Sequence, residues 1–196
     1  MLEEELLLKV RKFALDNSEK DDIHGFSHTE RVYELCIEIG KALGADLFIL
    51  KLSALLHDIG RKKEKKRKST NNHAEHSAHL ALKFLKRRES EISEPVINHV
   101  VHCIQAHSFS NNIVPETLEA KILSDVDKLD ALGAVGLYRT IGFTVKNQGG
   151  INQVIEHLEN KILKLKDRLV LDISKEIAEE RELIIYDFYK EVLKQK

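Results

Sequence analysis

Three short segments of this chain carry residues of the kinds that hold metal ions or move protons. The sharpest is Ala54-Leu55-Leu56-His57-Asp58-Ile59-Gly60, where an imidazole and a carboxylate sit side by side at the end of an apolar run. Burying such groups is costly unless they are paired with each other or with an ion. Adjacent residues of a helix project about 100° apart, so both can reach one ion lying beside the helix end. Standing alone, the pair would be explained as well by a His-Asp hydrogen bond that finishes a helix.

It does not stand alone. The segment from His24 to Val32 places His28 in the first turn of a helix, and the segment from Ser124 to Asp130 places Asp125, Asp127 and Asp130 within another. Mixed imidazole and carboxylate ligands suit Mn²⁺, Fe²⁺, Co²⁺, Ni²⁺ or Zn²⁺, with Mg²⁺ less favoured as histidines accumulate.

The elements that position these residues read as helices throughout. Only two prolines occur, Pro95 and Pro115, and apolar residues recur at three- and four-residue spacing. A first helix is expected over Leu2 to Leu15. A second starts at Ser27, with Ser27 as its cap and Glu30 completing a capping box, and stops near Gly44. Asp46 opens a third helix, ending at Gly60; it is apolar most of the way round and should be central and buried. Further helices are expected at about 72–88, 93–106, 116–131 and 133–146, with Pro95 in a first turn behind Ser93. From Ile151 onward the pattern predicts a helical hairpin. One stripe is Ile155, Leu158, Ile162, Leu165 and Leu169; the other is Ile173, Ile177, Leu183, Ile184 and Phe188. These arms would close the core or pack on a partner, a homodimer being one arrangement.

The order His28, then His57-Asp58, then Asp127 resembles the HD-domain superfamily of metal-dependent phosphohydrolases, and within it a group of small, largely uncharacterised hydrolases. The likeness is carried by His24-x-x-x-His28-x-x-Arg31-Val32, by His102-x-x-x-x-His107-Ser108-Phe109-Ser110, and by the run from Glu119 to Arg139. It covers about residues 20–140, with a weaker echo in the C-terminal hairpin. The resemblance implies an all-α HD-domain bundle, one domain over 1–196. It also implies His28, His57, Asp58 and Asp127 as metal ligands. Asp127 is preferred to Asp125 because the last ligand of the family precedes a basic residue and Leu, here Lys128-Leu129. The two aspartates lie about 200° apart on a helix and cannot share a face. Val126 departs from the alanine usual there.

The expected activity is hydrolysis of a phosphate ester or anhydride of a small molecule, a nucleotide above all. The ion would lower the pKa of a bound water and offset phosphoryl charge. Asp58 would orient that water. Arg31, one turn past His28, is the foremost group to grip phosphate oxygens, followed by Arg61, Lys62, Lys128 and, by resemblance, Arg139. His107 is expected in the pocket, meeting phosphate or supporting a ligand, and joins Asp58 and Arg31 as catalytic. His76 with His79, or His102 with His107, could complete a second metal site. Two alternatives remain: a non-catalytic nucleotide- or nucleic-acid-binding regulator on the same fold, and a diiron HD oxygenase.

The remaining signals bound the answer. Net charge is −1, so the chain as a whole is no electrostatic glove for nucleic acid. The basic run from Arg61 to Lys68 has no interleaved aromatics to stack bases and reads as a solvated loop or as steering for anionic substrate. Cys36 and Cys103 form no CxxC pair and read as small core residues in a reducing cytoplasm. The acidic start Met1-Leu2-Glu3-Glu4-Glu5 is unlike a secretory leader, and no apolar run approaches the roughly 20 residues of a membrane span. No Gly-rich segment has the Walker spacing.

Overall fold

The computed structural model describes residues 2–61, 73–108 and 111–196. Among the described residues the protein has nine α-helices and no strand, the all-α architecture expected. Two compact units divide it, Met1–Ser124 and Asp125–Lys196. No helix among the described residues is long and apolar enough to cross a membrane.

The first unit holds α1 (Leu2–Asn17), α2 (Phe26–Leu43), α3 (Leu47–Leu56), α4 (His73–Lys86), α5 (Glu94–Ala106) and the start of α6 (Leu118–Leu129). Helix α3 is its centre, with α1, α2, α4 and α5 all packed on it. Its sequence explains this position: Ile49, Leu50, Leu52, Ala54, Leu55 and Leu56 are all buried, so no single polar face is left to meet water. Asp46 starts α3 by accepting the backbone N–H groups of Phe48 and Ile49, two donors a helix start leaves without partners.

The helix ends differ from the sequence expectation in informative ways. Helix α2 begins at Phe26, with Gly25 rather than Ser27 at the cap position and no side-chain cap. A Cβ at Gly25 would lie 1.9 Å from the Asp21 carbonyl oxygen, so only glycine lets the chain double back here before the helix. Regular helix ends at Leu56 in α3, and His57 to Gly60 form tight turns. Ser93 sits at the cap of α5 without a side-chain bond, and Pro95 occupies the first turn.

The second unit contains the end of α6, α7 (Gly133–Lys146), α8 (Ile151–Asn160) and α9 (Asp172–Gln195), with α9 packed on α7 and α8. The first arm of the expected hairpin is broken: α8 stops at Asn160 and two 3-10 turns, 162–164 and 166–168, carry the chain on. Ile155, Leu158, Ile162, Leu165 and Leu169 are buried as that stripe predicted. The second stripe holds only in part: Ile173, Ile177 and Phe188 are half-buried. Leu183 and Ile184 are 64% and 46% exposed, and the buried line of α9 is Ser174, Ala178 and Ile185.

Candidate metal centre

The site is built at the C-terminal ends of two helices. In the turn after α3, the Nδ1–H of His57 donates to the Ala54 carbonyl at 2.7 Å. After α5, the Nδ1–H of His107 donates to the Ile104 carbonyl at 2.6 Å. Each bond satisfies a carbonyl that the helix end leaves open. Each also sets the tautomer: with Nδ1 holding the proton, Nε2 carries the lone pair. Both rings are buried.

Helix α2 brings in His28, also buried, with its Nε2 3.2 Å from Nε2 of His57. Asp58 completes the group, its Oδ2 3.5 Å from His28 Nε2 and 3.6 Å from His57 Nε2. Atoms held about 2.1 Å from one ion at ordinary bond angles lie roughly 3.0 to 3.5 Å apart, so these separations suit three ligands of one cation.

On the other side of Asp58 a second group forms. Its Oδ1 lies 3.7 Å from Nε2 of His73, the first residue of α4, and 3.7 Å from Nε2 of His107. The rings of His57, His107 and His73 follow one another edge to face, with centroids 5.1 and 5.3 Å apart. Asp58 Oδ1 and His107 Nε2 are buried and make no hydrogen bond. A carboxylate oxygen and an imidazole lone pair facing each other without a proton are mutually repulsive, and a cation removes that cost. The donor set thus fits a divalent ion on the chemistry of its own atoms.

Arg61 sits beside Asp58, its Nε donating to Oδ2. Burial pushes the Asp58 carboxyl up; the charges of the Arg61 guanidinium and of the His57 ring oppose it, and the carboxyl is held well below the usual carboxylate range. It is therefore an anion at neutral pH. The turn that carries it is held by close packing. Gly60 N–H donates to Ser77 Oγ at 2.9 Å, and a Cβ on Gly60 would lie 2.5 Å from the Ser77 amide nitrogen.

The sequence-predicted residues are distributed as follows. His28, His57, Asp58, Arg61 and His107 meet in this cluster. Arg31 is half-buried on α2, three residues beyond His28. Asp127 and Lys128 lie in the last turn of α6, within the second unit, both half-buried. Burial pushes the Lys128 ammonium down, against the pull of Asp127 and Asp125. Arg139 on α7 donates to the carbonyl and the side chain of Asp130 at 3.1 and 2.5 Å. Asp125 is fully buried, accepting Val170 and Leu171 N–H groups. Lys62 and the rest of the basic run after Arg61 lie outside the described residues, as do Phe109 and Ser110.

Sequence reasoning did not single out His73. Of the histidines expected to supply a second group, His79 is exposed and His102 accepts the Glu116 N–H. His73 had only its spacing from His76 and His79 to recommend it, and nothing local marks which of the three faces Asp58.

Comparison with known proteins shows the family. The family model of the HD domain matches residues 25–132, and the chain belongs to that family. The uncharacterised protein YpgQ of Bacillus subtilis (strain 168) is 30% identical over 199 residues, spanning 97% of this chain and 92% of YpgQ. The crystal structure of YpgQ in complex with ADP matches with a TM-score of 0.77 at 26% identity, covering 100% of this chain and 97% of that one. An HD-superfamily hydrolase from Bacillus thuringiensis matches with a TM-score of 0.72 at 26% identity, covering 98% and 97%. The fold is that of the HD-superfamily hydrolases, with a His/Asp cluster of the kind that binds divalent metal.

Proposed function

We propose that this chain is a metal-dependent phosphohydrolase acting on a small phosphorylated compound, a nucleotide. One observation carries the reading: the buried meeting of His28, His57 and Asp58, with the Nε2 atoms of both rings and an ionised carboxylate converging away from solvent. The nucleotide part is supported by the ADP complex of YpgQ.

His28, His57 and Asp58 would hold the ion, and Asp127 is the proposed fourth ligand on the family resemblance alone. Such an ion, when bound, supplies Lewis acidity for activating water and for offsetting phosphoryl charge. The chain supplies the rest. The Ala54 carbonyl fixes the His57 ring, so no reorientation is needed during reaction. Asp58 stays ionised and is the residue proposed to orient the attacking water. Arg61 steadies Asp58, and Arg61 and Arg31 are the residues proposed to meet phosphate oxygens. His107 is the proposed pocket residue, held in register by the Ile104 carbonyl.

The test is a panel of nucleotides assayed with Mn²⁺, Co²⁺, Ni²⁺ and Mg²⁺. Hydrolysis is expected with the first three and weaker with Mg²⁺, and Asp58→Ala should lower it by about a thousandfold or more. Absence of turnover under every metal would sink the proposal. Nucleotide binding that survives Asp58→Ala, with no hydrolysis by the parent protein, would point instead to a non-catalytic regulator. The group of Asp58, His73 and His107 gives a specific ground for the two-ion alternative, which the oxygenase reading requires. Metal analysis giving one ion per chain would exclude it.

A further inference from the structure

Away from the metal centre, a cleft of about 490 Å³ lies in the first unit, lined by Lys9, Phe13, Phe84, Arg87, Arg88 and Glu91. Lys9 and Phe13 belong to α1, and the others come from the end of α4 and the turns after it. Phe13 and Phe84 stack, with centroids 4.1 Å apart and planes 19° apart. The guanidinium of Arg88 lies over the Phe84 ring, 3.6 Å from its centroid. A continuous flat column of phenyl, phenyl and guanidinium therefore stands in the wall of the cleft.

Three cations and one carboxylate line the cleft. Lys9 pairs with Glu91 at 2.9 Å and with Glu5 at 3.2 Å, both in partly exposed ion pairs. Pairs of this kind contribute little and exchange readily. Arg88 uses Nη1 on the Phe84 carbonyl, leaving the rest of its fork of donors. Arg87 is exposed, with no hydrogen bond or ion pair among the described residues. Complementing the dipole at the end of α4 accounts for basic residues after Lys86. It does not call for two stacked phenyl rings beside them in an open cleft.

We propose that this cleft is a second ligand site, for a mononucleotide. Its base would extend the Phe13–Phe84–Arg88 column, since aromatic and guanidinium faces accept any base. Its phosphate would lie by Arg87 and Lys9, on the side away from Glu91. The volume falls in the range of small-molecule sites. Phe84 lies eleven positions beyond His73 on α4, about 16 Å along the helix axis, so the cleft is distinct from the metal centre.

The test is equilibrium binding of AMP to the full chain stripped of metal with EDTA, compared with adenosine and with inorganic phosphate. One AMP is expected per chain, unchanged in Asp58→Ala and weakened about tenfold or more in Arg87→Glu. Adenosine and phosphate alone should each bind at least about tenfold less tightly than AMP, because each reaches only half of the site. An unchanged melting temperature in Arg87→Glu, a surface change, shows that the fold is kept. The proposal is overturned if AMP does not bind saturably, if binding is lost in Asp58→Ala, or if Arg87→Glu leaves it intact. Binding of a single-stranded oligonucleotide where AMP fails would also overturn it, in favour of a nucleic-acid surface.

Discussion

Asp58 stands between two pairs of histidines, and its two oxygens have different surroundings. Oδ2 meets His28, His57 and Arg61, while Oδ1 meets His73 and His107 without a hydrogen bond. The partner that holds His107 in place is a backbone carbonyl, so the ring keeps its orientation whatever binds beside it. His107→Ala should therefore weaken Mn²⁺ binding by about 10- to 100-fold, read by isothermal titration. Unchanged affinity would show that the ring plays no part at the ion. Cys103 illustrates the plain residue among these polar ones. Burial pushes its thiol up to about 12, against hydrogen bonds from Ser53 and Thr117. An acid whose pKa is raised on folding leaves stability intact below its unfolded value, near 9, and lowers it as pH rises toward 12. Native Cys103 should stay unreactive to a thiol reagent at pH 8. Urea unfolding should lose about 1.4 kcal/mol per pH unit above 9 from this group, a slope that Cys103→Ala removes.

At the level of elements, the chain uses helix ends as mounting points. His57 and His107 each bond back three residues to a carbonyl at the end of α3 and α5, and His28 comes from the first turn of α2. The helix-start and helix-end signals set these residues near element ends to within a few positions, with Gly25 capping α2 in place of Ser27 and α3 ending at Leu56 rather than Gly60, because caps and turns are local matters. Phase along a long helix is not. In α9 the apolar letters suggested a stripe through Leu183 and Ile184, yet the buried line runs through Ser174, Ala178 and Ile185. Two of these three are small residues, Ser174 and Ala178, and small residues give weak periodic signal. Ile185→Ala should cost about 2–5 kcal/mol by leaving a cavity. Leu183→Ala should change stability by about 0.5 kcal/mol or less. Denaturant unfolding of the two variants decides which stripe is buried; equal losses would contradict the assignment.

For the whole molecule, the ion should contribute to stability as well as to chemistry. A ligand at a hundred times its dissociation constant stabilises the folded state by about 2.7 kcal/mol. In a chain of this size that corresponds to a melting temperature higher by roughly 5–10 °C. Removing metal with EDTA should lower the thermal midpoint by that amount, and adding Mn²⁺ back should restore it, as followed by circular dichroism. A midpoint indifferent to chelation and to added Mn²⁺ would argue against a resident ion.

The all-helical class and the central place of α3 were legible in the sequence because they follow from periodicity and from neighbours along the chain. The same holds for the setting of His57-Asp58 at a helix end: the two residues are adjacent, so no folding is needed to bring them together. His28 was legible through its helix-start setting together with the family spacing, and His107 through the family spacing alone. Which of ten histidines meet Asp58 was decided only by packing. Helices α2, α4 and α5 each press on α3, and their contact angles carry His28, His73 and His107 to one carboxylate. The type of a residue is written at its position, but the company it keeps across 15 to 50 residues of chain depends on how apolar helix faces interlock.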